Sequence, residues 1–241
     1  MNAIVNLQGV PQRLMHFDAT THFKMLEHGL FPEFSKVELV DGVLINSSEH
    51  AVGPEIEIDG VTVKLPQFTA ELFFRMIDAG LFDDKKVELI DGVLIELNPA
   101  KNDYGTALAY LTSAFISQIP SDLKGSIDVA IELNDGTVVG PDLTILPKSI
   151  SSDDATGTDL LLAVEIANSS LNYDLRTKAN LYSVHSVPEL WVVDLPNRKL
   201  HIHREPASSG YQSVTALEWN EPASPLFAPD ISLTLSEIIE L

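Results

Sequence analysis

Two kinds of hydrophobic pattern divide the chain. From residue 127 onward short strand-like stretches follow one another closely: Ile127–Leu133, Thr137–Leu146 around Pro141, Leu160–Ala167, Leu190–Asp194 and Leu200–Arg204. These stretches, separated by turn residues such as Asn134-Asp135-Gly136 and Pro196-Asn197, predict strands, and Leu160–Ala167, apolar except for Glu165, predicts one buried on both faces. Other stretches follow helical spacing. Leu108, Leu111 and Phe115 place one apolar face on a helix over Tyr104–Ile119. After the polar turn Asn168–Asn172, Asp174, Lys178 and Tyr182 recur every four residues, which predicts a helix with all three on one face. The tail reads as a strand near Leu233 followed by a short helix. The alternation of strands and helices predicts an α/β fold.

The N-terminal third repeats itself. Phe17–Ile45 matches Phe68–Ile95, with one residue fewer before the shared Val-Glu-Leu. Each copy predicts a helix that starts near a Thr or Asp and stops near Gly29 or Gly80. A hairpin follows, whose Asp41-Gly42 or Asp91-Gly92 pair suits a type I′ turn. Residues 52–65 alternate around Asp59-Gly60 and predict a small connecting hairpin. Two copies are too few for a solenoid, so a partial duplication is the simpler reading. Only the second copy runs directly into the later strands. Residues 1–57 are therefore expected to form an appendage or dimer contact carrying Glu38 and Asp41, with 58–241 as the core and the chain a homodimer. Alternation along Val87-Glu88-Leu89 turns Glu88 toward solvent, although it is also a candidate extra carboxylate.

Composition narrows the class. The 241 residues are 45% hydrophobic and 21% charged, with no cysteine, which excludes disulfides and cysteine-based zinc sites. No basic, apolar leader opens the chain, and the expected location is the cytoplasm with no membrane partner. No phosphate-binding glycine loop, dinucleotide fingerprint, serine-hydrolase elbow or His-Glu-x-x-His helix is present. Fifteen Lys and Arg against thirty-five Asp and Glu leave a net charge of −20, which opposes nucleic acid at long range. A local basic rim of Arg176, Lys178, Arg198, Lys199 and Arg204 is expected to counter it, so binding should be weak and salt-sensitive.

Chemistry concentrates in two of the apolar runs. Glu165 is the one carboxylate inside Leu160–Ala167, where an unpaired charge would cost several kcal/mol. Asp142 follows Gly140-Pro141 at the head of Leu143-Thr-Ile-Leu, so two strands can each deliver one acid to a shared edge. With Lys178 on the next helix and Asp174 one turn earlier, the set suits a divalent metal and a water nucleophile. Structural readings exist for each: an ion pair of Glu165 with Lys178 or Arg176, a turn acid, a helix cap, a surface lysine. The loop 149–159, rich in Ser, Asp, Thr and Gly, is a candidate lid.

The stretches GPDLTIL, LLAVEIANSSLNYDLRTKANLYSVHSVPELWVVDL and KLHIHREP, with VELIDGVLIELNP earlier, resemble the Uma-two family of restriction endonucleases in the PD-(D/E)xK nuclease superfamily. The resemblance covers roughly Leu65 to the C-terminus. It implies a restriction-endonuclease-like core, a mixed β-sheet flanked by helices, that hydrolyses phosphodiester bonds of nucleic acid, DNA foremost. It further implies Mg²⁺, or Mn²⁺, held by Asp142 and Glu165. The superfamily lysine would stand at Ala167; in this family it moves to the following helix, matching Lys178. A histidine often opens the earlier helix in the family, where this chain has Tyr104. That departure and the acidic charge leave a second reading, a nuclease fold that binds or regulates without catalysis.

Overall fold

The computed structural model describes every residue except 1–2, 8, 33–35, 59, 84, 99–101, 153 and 240–241. Two compact units divide the chain: Met1–Pro99 with Asn134–Val139, and Ala100–Leu133 with Gly140–Leu241. This division lies elsewhere than the boundary expected at residue 57, which falls inside a strand.

In the first unit the elements run β1 (Ile4–Leu7), β2 (Val10–Arg13), α1 (Ala19–Glu27), β3 (Val37–Val40), β4 (Val43–Asn46), β5 (Glu55–Ile58), β6 (Val61–Lys64), α2 (Ala70–Asp78), β7 (Val87–Ile90) and β8 (Val93–Glu96). The helices begin where capping chemistry predicts. Asp18 accepts from the amide of Thr21 at 2.7 Å and Thr69 from that of Leu72 at 3.2 Å. They stop at left-handed Gly29 and Gly80, whose successors Leu30 and Leu81 donate back to Met25 and Met76. Asp41-Gly42 and Asp91-Gly92 all have positive φ, 48°, 83°, 49° and 80°, the type I′ geometry expected of both hairpins. The strand Thr137–Val139 pairs antiparallel with β7, Val138 opposite Leu89. β7 is thereby central, and Glu88, Leu89 and Ile90 are all buried. Glu88 therefore departs from the expected solvent-facing position, because both faces of its strand are covered.

The second unit holds α3 (Asn102–Ile116), β9 (Leu123–Ile127), β10 (Ile131–Asn134), β12 (Leu143–Pro147), β13 (Leu162–Ala167), a π-helical turn Tyr173–Lys178, α4 (Ala179–Val184), β14 (Glu189–Asp194), β15 (Lys199–Arg204), β16 (Ser213–Glu218), β17 (Pro222–Ala223), β18 (Leu233–Thr234) and α5 (Leu235–Ile238). The first-unit strand Thr137–Val139 is β11. Six strands form one mixed sheet in the order β16-β15-β14-β13-β12-β9. Only β13 and β14 are parallel, and the π-turn with α4 supplies the crossover that parallel neighbours need. β9 and β16 were not expected as strands. Their alternation is weak, and edge pairing to β12 and β15 decides them.

Strand register sorts this sheet into an apolar and a polar face. Val164 lies opposite Trp191 and Ile166 opposite Val193, and with Leu143, Ile145, Leu200 and Ile202 they form the core beneath α3 and the C-terminal segment. Trp191 is a core residue as expected, its ring 5.6 Å from that of Phe115. Each such side chain contributes roughly 1.5–3 kcal/mol on burial, so Val164→Asp would unseat α3. The odd positions of β13 point the other way. Glu165, opposite Val192, therefore faces the π-turn and α4.

Candidate active site

Asp142 sits between Pro141 and β12 and is 5% exposed. Proline fixes the approach of the chain, and the carboxylate then continues the ladder that Leu143 and Val164 begin. Its Oδ2 accepts from the backbone amide of Ile166 at 2.6 Å, and its Oδ1 accepts from the Tyr104 hydroxyl at 2.7 Å. The Ile166 amide belongs to the residue after Glu165, so Asp142 is anchored to β13 one residue from the second acid.

Glu165 is 2% exposed. Its Oε2 accepts from Lys178 Nζ at 2.9 Å and its Oε1 from the Tyr182 hydroxyl at 2.6 Å. Lys178 is equally buried, with its ammonium 5.8 Å from the centre of the Tyr173 ring, close enough for cation–π attraction. A carboxylate buried in mid-strand is tolerable only with such partners. The expected approach of Lys178 to Glu165 is present, and Tyr182, four residues further on, adds a second donor that the spacing had placed only on the same helical face. The preceding turn is wider than an α-helix: the Ala179 amide reaches the carbonyl of Asp174, five residues back. Single π-turns of this kind recur at functional sites, and nothing in the spacing announced this one.

Asp174, also buried, accepts from the Ser170 hydroxyl at 2.6 Å and ties the loop after β13 to the π-turn. Asp142, Glu165, Lys178 and Asp174 belong to the second unit, and Glu88 to the first.

Two participants escaped the sequence reading. Tyr104, seen there only as a departure from the family's histidine, donates to Asp142. Burial, followed by the negative charges of Asp142, Asp128 and Glu165, drives its phenol far above the ordinary value, so it stays protonated. Asp128 is the second. It follows β9 with φ of 50°, donates its amide to the Asp142 carbonyl at 3.3 Å, and adds negative charge near Tyr104. The residue types that tolerate a left-handed backbone include aspartate, which was the one available signal.

Three of the five residues of the expected basic rim pair with acids of the chain, two of them with buried ones. Lys178 is buried on Glu165, Arg204 bonds fully buried Glu189 and the Ser224 carbonyl, and Lys199 pairs with Glu218 at 2.9 Å. Arg176 and Arg198 are exposed. The loop 149–159 is also more anchored than a lid would be. Thr156 and Asp159 close a capping box, Thr156 bridges to Glu132, and Ala155 and Gly157 are buried; residue 153 lies outside the described residues.

Hard oxygen donors on adjoining strands suit Mg²⁺, which commonly binds through one or two carboxylates and keeps several waters. Asp142 and Glu165 are donors of that type, and each of their four oxygens accepts a hydrogen bond from the protein. Among the described residues no group of three or more His, Cys, Asp or Glu side chains gathers into an ion-binding cluster. No described helix is long and apolar enough to cross a membrane.

The second unit is a mixed sheet with few flanking helices, with Asp142 at the head of β12 and Glu165 paired with Lys178 on the neighbouring β13. A solved structure shares the fold: "a putative nuclease belonging to DUF820 from Anabaena variabilis ATCC 29413" aligns with a TM-score of 0.57 at 14% identity, covering 71% of this chain and 97% of that one. No curated protein matches the sequence. The profile of the family Uma2, "Putative restriction endonuclease", matches residues 70–236, and the chain belongs to that family.

Proposed function

We propose that the protein is a Mg²⁺-dependent endonuclease, with Mn²⁺ as a substitute, acting on DNA in the cytoplasm. What supports this reading is the family match over residues 70–236, together with Asp142 at the head of β12 and Glu165 on the neighbouring β13, where Lys178 lies 2.9 Å from Glu165. Asp142 and Glu165 would hold the ion. When bound, it supplies a Lewis acid that acidifies water and neutralises phosphate charge.

The protein's own groups do the rest. Tyr104 and the Ile166 amide hold the two Asp142 oxygens, and Tyr182 holds Glu165 Oε1, so neither carboxylate has to be ordered when substrate arrives. Lys178 brings a fixed positive charge to where phosphate oxygens gain negative charge. Because its proton is held so firmly, Tyr104 acts as a donor and not as a base, unlike a histidine at that position. Asp174 acts on the position of the π-turn through Ser170. With the basic rim mostly paired, binding to DNA is weak and falls steeply with salt.

The test is cleavage of plasmid and single-stranded DNA with Mg²⁺, with Mn²⁺ and with EDTA. Metal-dependent products absent from Asp142→Ala and Glu165→Ala are expected. Equal products from wild type and both variants would refute the assignment. Retained DNA binding without cleavage would favour the second reading, a silent nuclease fold, which the full engagement of both carboxylates by protein donors supports.

A further inference from the structure

The N-terminal unit repeats further than the sequence match indicates. β1 and β2 stand 51 residues before β5 and β6, and the two hairpins share one register. Ile4 pairs with Arg13 as Glu55 does with Lys64, and Leu7 with Val10 as Ile58 does with Val61. Each repeat is thus hairpin, helix, hairpin, and the supposed connector at 55–64 is the first element of the second repeat. Backbone bonds recur at equivalent positions: Phe17 N to Gly42 O at 2.8 Å and Phe68 N to Gly92 O at 2.9 Å, Ser47 N to Lys36 O at 2.8 Å and Leu97 N to Lys86 O at 2.9 Å.

The repeats meet reciprocally. β2 of the first packs on β8 of the second, and β6 of the second on β4 of the first. A contact in which each partner offers the same surface to the other is the mark of a two-fold, isologous interface. A small apolar cleft between the repeats is lined by equivalent pairs: Phe17 with Phe68, Val43 with Val93 and Leu44 with Leu94. All six are at most 5% exposed. The symmetry breaks where chemistry requires it. Met15 N donates to Leu94 O at 2.9 Å, but its equivalent is Pro66, which has no N–H to give Leu44. On the same side Glu96 is held by Arg13 and, at 3.3 Å, by Lys85, whereas the equivalent of Glu96 in the first repeat is the uncharged Asn46.

We propose that residues 4–96 are an internal dimer. The face of the second repeat built on Phe68, Val93 and Leu94 is a dimerisation surface that fits another copy of the same repeat, and this chain supplies that copy from its own N-terminus. The second repeat holds both halves of the ion pair such a dimer would make twice, Lys64 in the place of Arg13, and Glu96. The dimer contact expected of the first copy is made within one chain, and the surface is closed to other molecules while the first repeat covers it.

Because the chain has no cysteine, Leu14→Cys with Ile95→Cys gives an unambiguous cross-link at the β-bridge between the repeats. Oxidised at high dilution, the full chain should lose both thiols and keep the mass of one chain. Disulfide-linked dimers as the main product would overturn the proposal. A protease site inserted at 49–52 then allows the first repeat to be cut free after folding. The cut piece should stay bound; Glu96→Arg should weaken its retention on the order of tenfold, and adding Arg13→Glu should restore part of the loss. Once stripped of that piece, the remainder should sediment at twice its mass. Retention indifferent to Glu96→Arg, or a folded remainder that stays monomeric, would sink the idea. Circular dichroism identifies an unfolded remainder, and for that case the retention series on nicked protein decides.

Discussion

Replacing Lys178 by methionine tests the centre of the site. The substitution keeps the length and apolar stem of the side chain but removes the charge facing Glu165. Both partners are 3% exposed by side chain, so little solvent is at hand to take over the lost interaction. Breaking one half of a buried ion pair costs about 3–5 kcal/mol, chiefly as the penalty of an uncompensated charge. For a chain of this length each kcal/mol lowers the melting temperature by about 2–4 °C, so Lys178→Met should lose roughly 6–20 °C. Glu165→Gln with Lys178→Met leaves no charge stranded and keeps an acceptor for the Tyr182 hydroxyl. The double variant should therefore be more stable than the sum of the single losses by about 2–3 kcal/mol. Thermal and urea unfolding followed at 222 nm measure all four proteins. A single-variant loss below about 2 °C, or strict additivity, would show that the pair is not held as an interdependent buried unit.

Three further predictions concern its surroundings. Tyr104→Phe removes a bond to a charged acceptor at 2.7 Å and should cost about 1.5–3 kcal/mol; urea unfolding unchanged within error would show that Asp142 does not depend on it. Glu189 is fully buried and accepts from Trp191 Nε1, Arg204 and the Leu226 amide. Glu189→Ala strands all three donors and should cost about 3–5 kcal/mol, with C-terminal amides beyond Leu226 exchanging faster by hydrogen–deuterium exchange; normal stability would refute the assignment. His203 titrates at about 4, lowered by burial and then by the charge of His201, against 6.5 when unfolded. Its folded-state affinity for protons is the weaker one, so its stabilisation is full above pH 6.5 and is lost as pH falls toward 4. Urea titrations across that window should show this slope flattened in His203→Gln, and an identical slope would exclude the residue as its source.

Much of this was written in local pattern. The capped starts of α1 and α2, their glycine stops, and the two Asp-Gly turns depend on side chains bonding within a few residues, so sequence alone determined them. The buried strand around Glu165 followed from an apolar run, and the meeting of Glu165 with Lys178 from a four-residue step on the next helix. Those are short-range rules of backbone geometry and burial.

Contacts between distant segments were decided only by tertiary structure. Glu88 alternates like a surface residue and is buried because both faces of β7 are covered. Tyr104 became the partner of Asp142 because α3 packs beneath the sheet that carries it, 38 positions away in sequence. The basic residues of 176–204 look like a patch in one dimension, yet Arg204 turns to Glu189 and Lys199 to Glu218 once β14, β15 and β16 lie side by side. The hairpin at 55–64 showed itself as half of a symmetric pair only through the reciprocal packing of β2 on β8 and β6 on β4. Alternation and spacing specify what each segment prefers by itself; which segments share a face is set by the joint burial of the whole chain, and no local window carries that information.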